Sequence, residues 1–435
     1  MQSNNKLRLA IRATAAATLL GFASQPVLAQ STAELQAQID DMQRQLDQMK
    51  PAEGVKGWMI PGTDTTMSIG GYIKLDMIWD FDQDLGPSAF VAGLDTSNEE
   101  SDVHFRAHAR QTRINLATNT PTSGGNVKTY IEVDFFGSSG NEIFTNANNP
   151  RMRHAYGEWN GWLAGQTWTN FMHFTAYPST VDFDGPVGVS FVRQAQLRYT
   201  MPLGEGSSLA FSAENAETTG FEGSRDNFPD LIAKYKWAGS GGGIELAALG
   251  RSLTSDSATG DDNAFGYGLL AAGRLNLTDS TTLMAGVIFG DGVGRYIYSS
   301  FSNGVSEVQE GTVDANDPSD PTDDTVLSRT GIGEAYIGAN GDLETIEAYG
   351  ANVAISQKWT SKFSSGLSYG RVEGDQPTDL FPNSFETLQS VHFSNFYQVV
   401  DPVTLGLEVS WQDKELANGE SADNTRLQLA AQFSF

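Results

Sequence analysis

Histidine and arginine recur at alternate positions in one stretch of the chain: His104, Arg106, His108 and Arg110, with Phe105, Ala107 and Ala109 between them. In an extended strand this period of two puts all four on one face. The apolar parity then switches to Ile114 and Leu116. A β-bulge near Gln111-Thr112 would account for the switch and keep Arg113 on the polar side. Arg151 and Arg153 open a later segment. Arg198 shares the polar parity of Gln194 and Gln196, whereas Arg193 has the opposite parity and is assigned to a strand end. Guanidinium grips carboxylate in two-point fashion. A row of them along a water-filled lumen with low-dielectric walls would attract small anions. The ordinary alternative is pairing with Glu132, Asp134 and Glu158. The number of cations gathered here favours an anion path lined by Arg106, Arg110, Arg113, Arg151, Arg153 and Arg198.

Catalytic chemistry has little support. There are five histidines and no cysteine. No H-E-x-x-H, G-x-S-x-G or G-x-x-x-x-G-K-[ST] pattern occurs. His104 and His108 lie too far apart along a strand to pair on a metal, and the glycine run near Gly239 to Gly243 opens no helix. The expectation is no enzyme and no cofactor, with weak Ca²⁺ or Mg²⁺ binding by acidic outer loops as a minor reading. Without cysteine there is neither a disulfide scaffold nor a thiolate metal site. A net charge of −26 argues against nucleic acid.

The elements that must position these cations read as strands. Period-two alternation recurs from Ser68 to the end, most plainly in Arg426–Phe435, where Leu427, Leu429, Ala431, Phe433 and Phe435 oppose Arg426, Gln428, Ala430, Gln432 and Ser434. Strands are expected near 68–81, 104–117, 126–136, 152–159, 161–168, 190–200, 207–216, 229–237, 243–252, 264–277, 281–290, 344–359, 363–373, 386–399, 403–412 and 424–435. Odd-numbered connections are long (82–103, 137–151, 169–189, 217–228, 253–263, 291–343, 374–385, 413–423). Even-numbered ones are short, such as Asn160-Gly161. An even strand count with long outer loops and short inner turns is the pattern of a transmembrane β-barrel. Closure follows because hydrocarbon leaves no partner for an open sheet edge. Trp79, Trp237, Trp359 and Trp411 sit near strand ends, where an interfacial girdle would want them.

The fold class is therefore all-β: a 16-stranded antiparallel transmembrane β-barrel over residues 68–435, preceded by three segments. Residues 1–29 read as a signal peptide, with Lys6, Arg8 and Arg12, an apolar run from Ala13 to Ala23, and cleavage after Ala29. Removing those three cations takes the net charge from −26 to −29. Residues 30–50 read as a short periplasmic coiled-coil helix, with Thr32, Ile39 and Leu46 at a and Leu35, Met42 and Met49 at d. It is too short to associate alone and would clamp chains held together elsewhere. Residues 51–67 form a linker.

The third long connection, Thr169 to Val189, is aromatic, apolar and poor in charge. It could fold into the barrel and narrow it, with Asp182 and Asp184 facing the arginines, or pack on a neighbouring subunit. The sixth contains Glu307, Glu310, Asp314, Asp317, Asp320, Asp323 and Asp324, so much of the acidic excess belongs to outer loops while the pore-facing strands are locally basic.

The runs Arg151-Met152-Arg153-His154-Ala155-Tyr156-Gly157-Glu158-Trp159, Leu163-Ala164-Gly165-Gln166-Thr167-Trp168-Thr169-Asn170-Phe171 and Arg193-Gln194-Ala195-Gln196-Leu197-Arg198-Tyr199 resemble the DcaP-like outer-membrane porins. Gly70-Gly71-Tyr72-Ile73-Lys74-Leu75-Asp76 and the terminal Phe435 are similar to that family too. The resemblance implies a homotrimeric porin in the outer membrane of a Gram-negative bacterium, with lipid and lipopolysaccharide around it. It also implies passive uptake of small anionic solutes of the dicarboxylate type. The competing reading is a plugged structural or receptor barrel without a transport role.

Overall fold

The computed structural model describes residues 57–98, 101–137, 143–218, 223–257, 260–299, 305–309, 325–329, 331–338, 342–377 and 384–435. The expected signal peptide and coiled-coil helix lie outside the described residues, as do Glu310 to Asp324 of the acidic sixth loop. Residues 57–66 belong to a separate short unit. It holds a two-residue strand, Trp58–Met59, and a turn in which the Ile60 N–H donates to the Thr65 carbonyl at 2.9 Å.

Sixteen strands make the barrel. The first half is β1 (Thr66–Asp80), β2 (His104–His108, resumed at Arg113–Thr120), β3 (Val127–Asp134), β4 (Arg151–Trp159), β5 (Trp162–Trp168), β6 (Arg193–Gly204), β7 (Ser207–Glu214) and β8 (Asp230–Gly239). The second half is β9 (Gly242–Ser257), β10 (Gly260–Asn276), β11 (Thr281–Asp291), β12 (Glu347–Lys358), β13 (Phe363–Gly374), β14 (Phe385–Val400), β15 (Val403–Leu416) and β16 (Ser421–Ser434). The strands follow one another antiparallel around the sheet, and β16 returns to β1 in the register Tyr72↔Ser434 to Asp80↔Arg426. The sheet has no free edge.

Why these residues form this surface is plainest in β15. Leu405, Leu407 and Val409 are 44%, 42% and 44% exposed, whereas Glu408, Ser410 and Gln412 between them are 1%, 2% and 0% exposed. A soluble sheet would show the reverse. Here the apolar parity meets hydrocarbon and the polar parity meets the lumen. At the turns, Asn160 and Gly161 both adopt positive φ (48° and 85°), as a two-residue hairpin of primed type requires. Trp159 and Trp162 flank that turn, and Trp359 starts the β12–β13 turn; all three are exposed.

Two expectations need correction. The connections at 253–263 and 413–423 are not long loops. Strands continue through them as the hairpins β9–β10 and β15–β16. Residues such as Thr254, Ser255 and Asp256, or Asp413, Lys414 and Glu415, are polar because these parts need no apolar face, not because pairing has ended. The wall is accordingly uneven: β9 and β10 have 16 and 17 residues, against 8, 9 and 7 for β3, β4 and β5. The break in β2 also exceeds a one-residue bulge. It is a turn in which Thr112 N–H donates to the Ala109 carbonyl at 3.1 Å.

Loop L3 (169–192) and the described stretch 292–299 of L6 (292–346) enter the barrel. Phe171 of L3 and Tyr296 and Ile297 of L6 pack with Ile232, Leu249, Leu270, Met284 and Ile288 on the inner faces of β8–β11. L3 then reaches β13, where a Cβ on Gly370 would stand 2.0 Å from the Val187 carbonyl. Only a bare backbone fits there. Further along, Glu408 accepts from Val181 N–H at 2.7 Å, and the Lys74 ammonium donates to the Val181 carbonyl at 2.7 Å. The fully buried Arg426 holds Asp80 of β1 through Nε and Nη2 (2.7 and 2.9 Å) and Asp182 of L3 through Nη1 (3.1 Å). Replacing Arg426 with Ala would leave two buried carboxylates without their cation, a loss of about 3–5 kcal/mol. The temperature at which the folded barrel unfolds on a denaturing gel should fall clearly in Arg426→Ala, and an unchanged transition would refute this role for the pair.

Candidate functional site in the lumen

A register shift in β4 builds the site. Glu132 of β3 faces His154, but the next residue, Val133, faces Met152, so Arg153 is the extra residue of a bulge. A bulge re-aims side chains, and Arg153 and His154 are both buried while Met152 is exposed. Arg153 donates to Glu132 (Nε, 2.7 Å) and Asp134 (Nη1, 2.8 Å). Arg151 grips Asp134 at two points, 3.0 and 2.8 Å. Arg113 of β2 is 3.9 Å from Glu132. Three guanidiniums thus share two carboxylates, and the group retains a positive charge.

Phe183 of L3 plugs into this group. Its ring lies 5.9, 5.5 and 5.6 Å from the guanidinium carbons of Arg113, Arg151 and Arg153. Phe136 stacks on it at 4.3 Å. Arg113 also sits over Tyr72 and Arg151 over Phe136, both at 5.4 Å. These are cation–π distances.

Not all of the expected residues meet here. Arg106 pairs with Asp84 of the first loop at 2.8 Å. Arg110 is buried at the β2 turn, where its carbonyl accepts from Phe135 N–H at 2.9 Å. Arg198 lines a separate cavity with Trp168, Lys234, Lys236 and Glu245. Glu245 is 3.4 Å from Lys234 and 3.3 Å from Lys236. Asp182 answers Arg426 of β16 rather than the arginines of β2–β4. Asp184, on the same loop, is hydrogen-bonded by Tyr298 and Ser88; burial and the neighbouring Asp182 push its carboxyl up to about 6.

Two cations escaped the sequence reading. Arg193 has the outward parity of β6, yet its guanidinium lies over Trp168 at 4.7 Å and Phe191 at 5.4 Å. Its position beside the inward-folding L3 overrides the parity. Among the described residues it has no carboxylate partner, and its buried Nη1 has no hydrogen-bond acceptor. Arg295 of L6 donates to Gln194 Oε1 at 2.7 Å. No strand period could have brought it here.

Two cavities flank Phe183. One, about 520 Å³, has Arg151, Arg193 and Arg295 in its walls together with Asp184. The other, about 550 Å³, has Arg113, Arg153 and His154 together with Asp182. Phe183 and Phe191 line both. Among the described residues no group of three or more His, Asp or Glu side chains is placed to share a metal ion.

A profile of the DcaP outer membrane protein family matches residues 36–309. The outer membrane channel DcaP of Acinetobacter baumannii is 25% identical in sequence and superimposes with a TM-score of 0.74, over 88% of this chain and 100% of that one. An anion-selective porin from Comamonas acidovorans shares the fold at 10% identity, with a TM-score of 0.52 over 85% of this chain and 100% of that one. Porin Omp2b of Brucella suis is 24% identical over 231 residues, 48% of this chain and 58% of the relative. The chain thus spans just over half the length of the curated relatives it matches. The match over residues 36–309 and the closed barrel agree: the chain belongs to the DcaP family of outer membrane proteins and has the porin fold.

Proposed function

We propose that the protein is a passive channel of the outer membrane that admits small anions, dicarboxylates among them, along the basic side of its lumen. The observation that carries this reading is the uncompensated guanidinium group beside L3. Arg113, Arg151 and Arg153 outnumber Glu132 and Asp134, and Arg193 adds a charge with no acid partner. L3 and residues 292–299 of L6 fill the side of β8–β11, so the cavities lie beside the strands that carry these cations. A guanidinium can offer a passing carboxylate two parallel N–H donors because the two geometries match. The anion-selective porin of Comamonas acidovorans shares the fold, which is consistent with this use of it. No catalytic step enters the reading.

A homotrimer is part of the same proposal, with the heptads of residues 30–50 as an auxiliary clamp. Strands of eight or nine residues rise about 19–21 Å when tilted at ~45°, below the ~25 Å apolar band of such barrels. Ile131, Met152 and Leu197 are 48%, 49% and 52% exposed on this low wall, and a second copy would cover it. A signal peptide over residues 1–29 completes the export route.

Pure protein in planar bilayers should carry ion current, and a total lack of current would end the channel reading in favour of a plugged barrel. Under a KCl gradient the reversal potential should favour chloride. A unit charge ~7 Å from the ion path favours an anion and disfavours a cation by about 0.6 kcal/mol each in water, so Arg193→Gln should lower the anion-to-cation permeability ratio roughly sevenfold. The preference should shrink between 0.1 and 1 M salt, as the screening length falls from about 10 to about 3 Å.

Selectivity should also depend on pH through Asp184. Its raised pKa means that it is charged at pH 7 and takes up a proton as the pH falls through about 6. The cavity then loses a negative charge, and anion preference should rise between pH 7 and 5. Asp184→Asn should have the higher preference already at pH 7 and lose this step. A step of undiminished size in Asp184→Asn would assign it to another group.

A further inference from the structure

The cations of this lumen are not presented as bare charges. Arg113 lies over Tyr72 and Phe183, Arg151 over Phe136 and Phe183, and Arg193 over Trp168 and Phe191. A lane that served only to attract ions would not need ring faces beside each guanidinium. It would be wetter and faster without them. The rings cost hydration, and what they offer in return is a surface for another flat group.

Two further observations point to a ligand. Arg193 Nη1 and Arg113 Nε are buried and lack hydrogen-bond partners. An unmet N–H of a charged group in a buried place is costly, and both belong to walls of the cavities on either side of Phe183. The cavities, about 520 and 550 Å³, are of the size that holds small organic molecules rather than single ions.

We propose that the two cavities flanking Phe183 form a binding site for planar aromatic carboxylates, which pass the constriction by exchanging one aromatic–guanidinium stack for another. The carboxylate pairs with the guanidinium of Arg193 on one side and of Arg113 on the other, both of which line the cavities. The solute's ring lies against Phe191 or Phe183, in the offset or edge-on contacts that aromatic pairs prefer. A saturated acid of equal charge and similar volume obtains the guanidinium but not the ring partner. This proposal rests on the anion reading above and narrows it.

The test compares benzoate with cyclohexanecarboxylate, added to the full-length protein in planar bilayers while chloride current is recorded. Benzoate should block at a concentration roughly two- to tenfold lower than its saturated counterpart, the ratio that a single aromatic contact supplies. Phe183→Leu should bring the ratio close to one, and Phe183→Tyr should preserve it. Arg193→Gln should weaken block by both acids. Equal block by the two acids in the unaltered protein overturns the proposal, and so does a benzoate preference that Phe183→Leu leaves intact. A reversal potential favouring cations in the unaltered protein would instead overturn the anion reading itself. Equal block with a chloride-selective channel removes only the aromatic site.

Discussion

A strand in hydrocarbon has nowhere to send its backbone N–H and C=O groups except to another strand. The first strand meets this demand from both sides, pairing with His104–His108 on one flank and with Arg426–Ser434 on the other. The rest of the molecule depends on that closure. It fixes which parity faces inward and places Lys74, Asp76 and Asp80 beside Arg426 and Gln428 although they are far apart in sequence. It also gives L3 a cylinder to cross. The ion pair between Arg426 and Asp182 is possible because the strand that closes the barrel also carries the cation that holds the loop.

Burial of so many charges in one wall would be unfavourable if each stood alone, since desolvation of an ion can exceed the attraction that it gains. The structure meets this by sharing. Asp134 serves two arginines, Glu132 accepts from Arg153 and lies near Arg113, and Glu245 sits between two lysines. Sharing leaves a surplus on one side of the lumen, and the aromatic rings of L3 stand where that surplus is largest. Phe183 therefore has two effects at once. It narrows the passage, and its negative ring face partly compensates three guanidiniums without cancelling their charge.

Much of this was legible in the sequence and some was not. All sixteen strands could be read because lipid and lumen impose opposite demands on successive side chains, and that contrast persists for seven or more residues. Beyond the hydrocarbon the outward parity need not be apolar, and so Leu253–Ser257 and Asp413–Leu416 read as loop, although Leu253, Thr254 and Ser255 are buried there. Arg113, Arg151 and Arg153 could be named from parity and proximity to strand starts. The bulge at Arg153 could not, because it depends on how β3 and β4 register. Arg193 was set aside by a rule that fails where a loop folds inward beside the strand. Arg295 reaches the site from a loop and obeys no period. Leu270 and Ala272, apolar on the supposedly wet face of β10, were the sequence trace of a lumen half filled by L3 and L6.

The unequal strand lengths have a consequence for approach from outside. Strands of 16 and 17 residues, tilted at ~45°, rise about 37–40 Å, while the eight-residue β3 rises about 19 Å. The mouth is therefore cut obliquely, like the end of a quill, with its tall side at β9–β10 and its low lip at β3–β5. Arg151 and Arg193 sit just beneath that lip, at the outer ends of their strands. A solute drifting in over the low side meets these cations at the threshold. On the anion path proposed above, the shape of the rim brings a negative solute to the basic side of the lumen first.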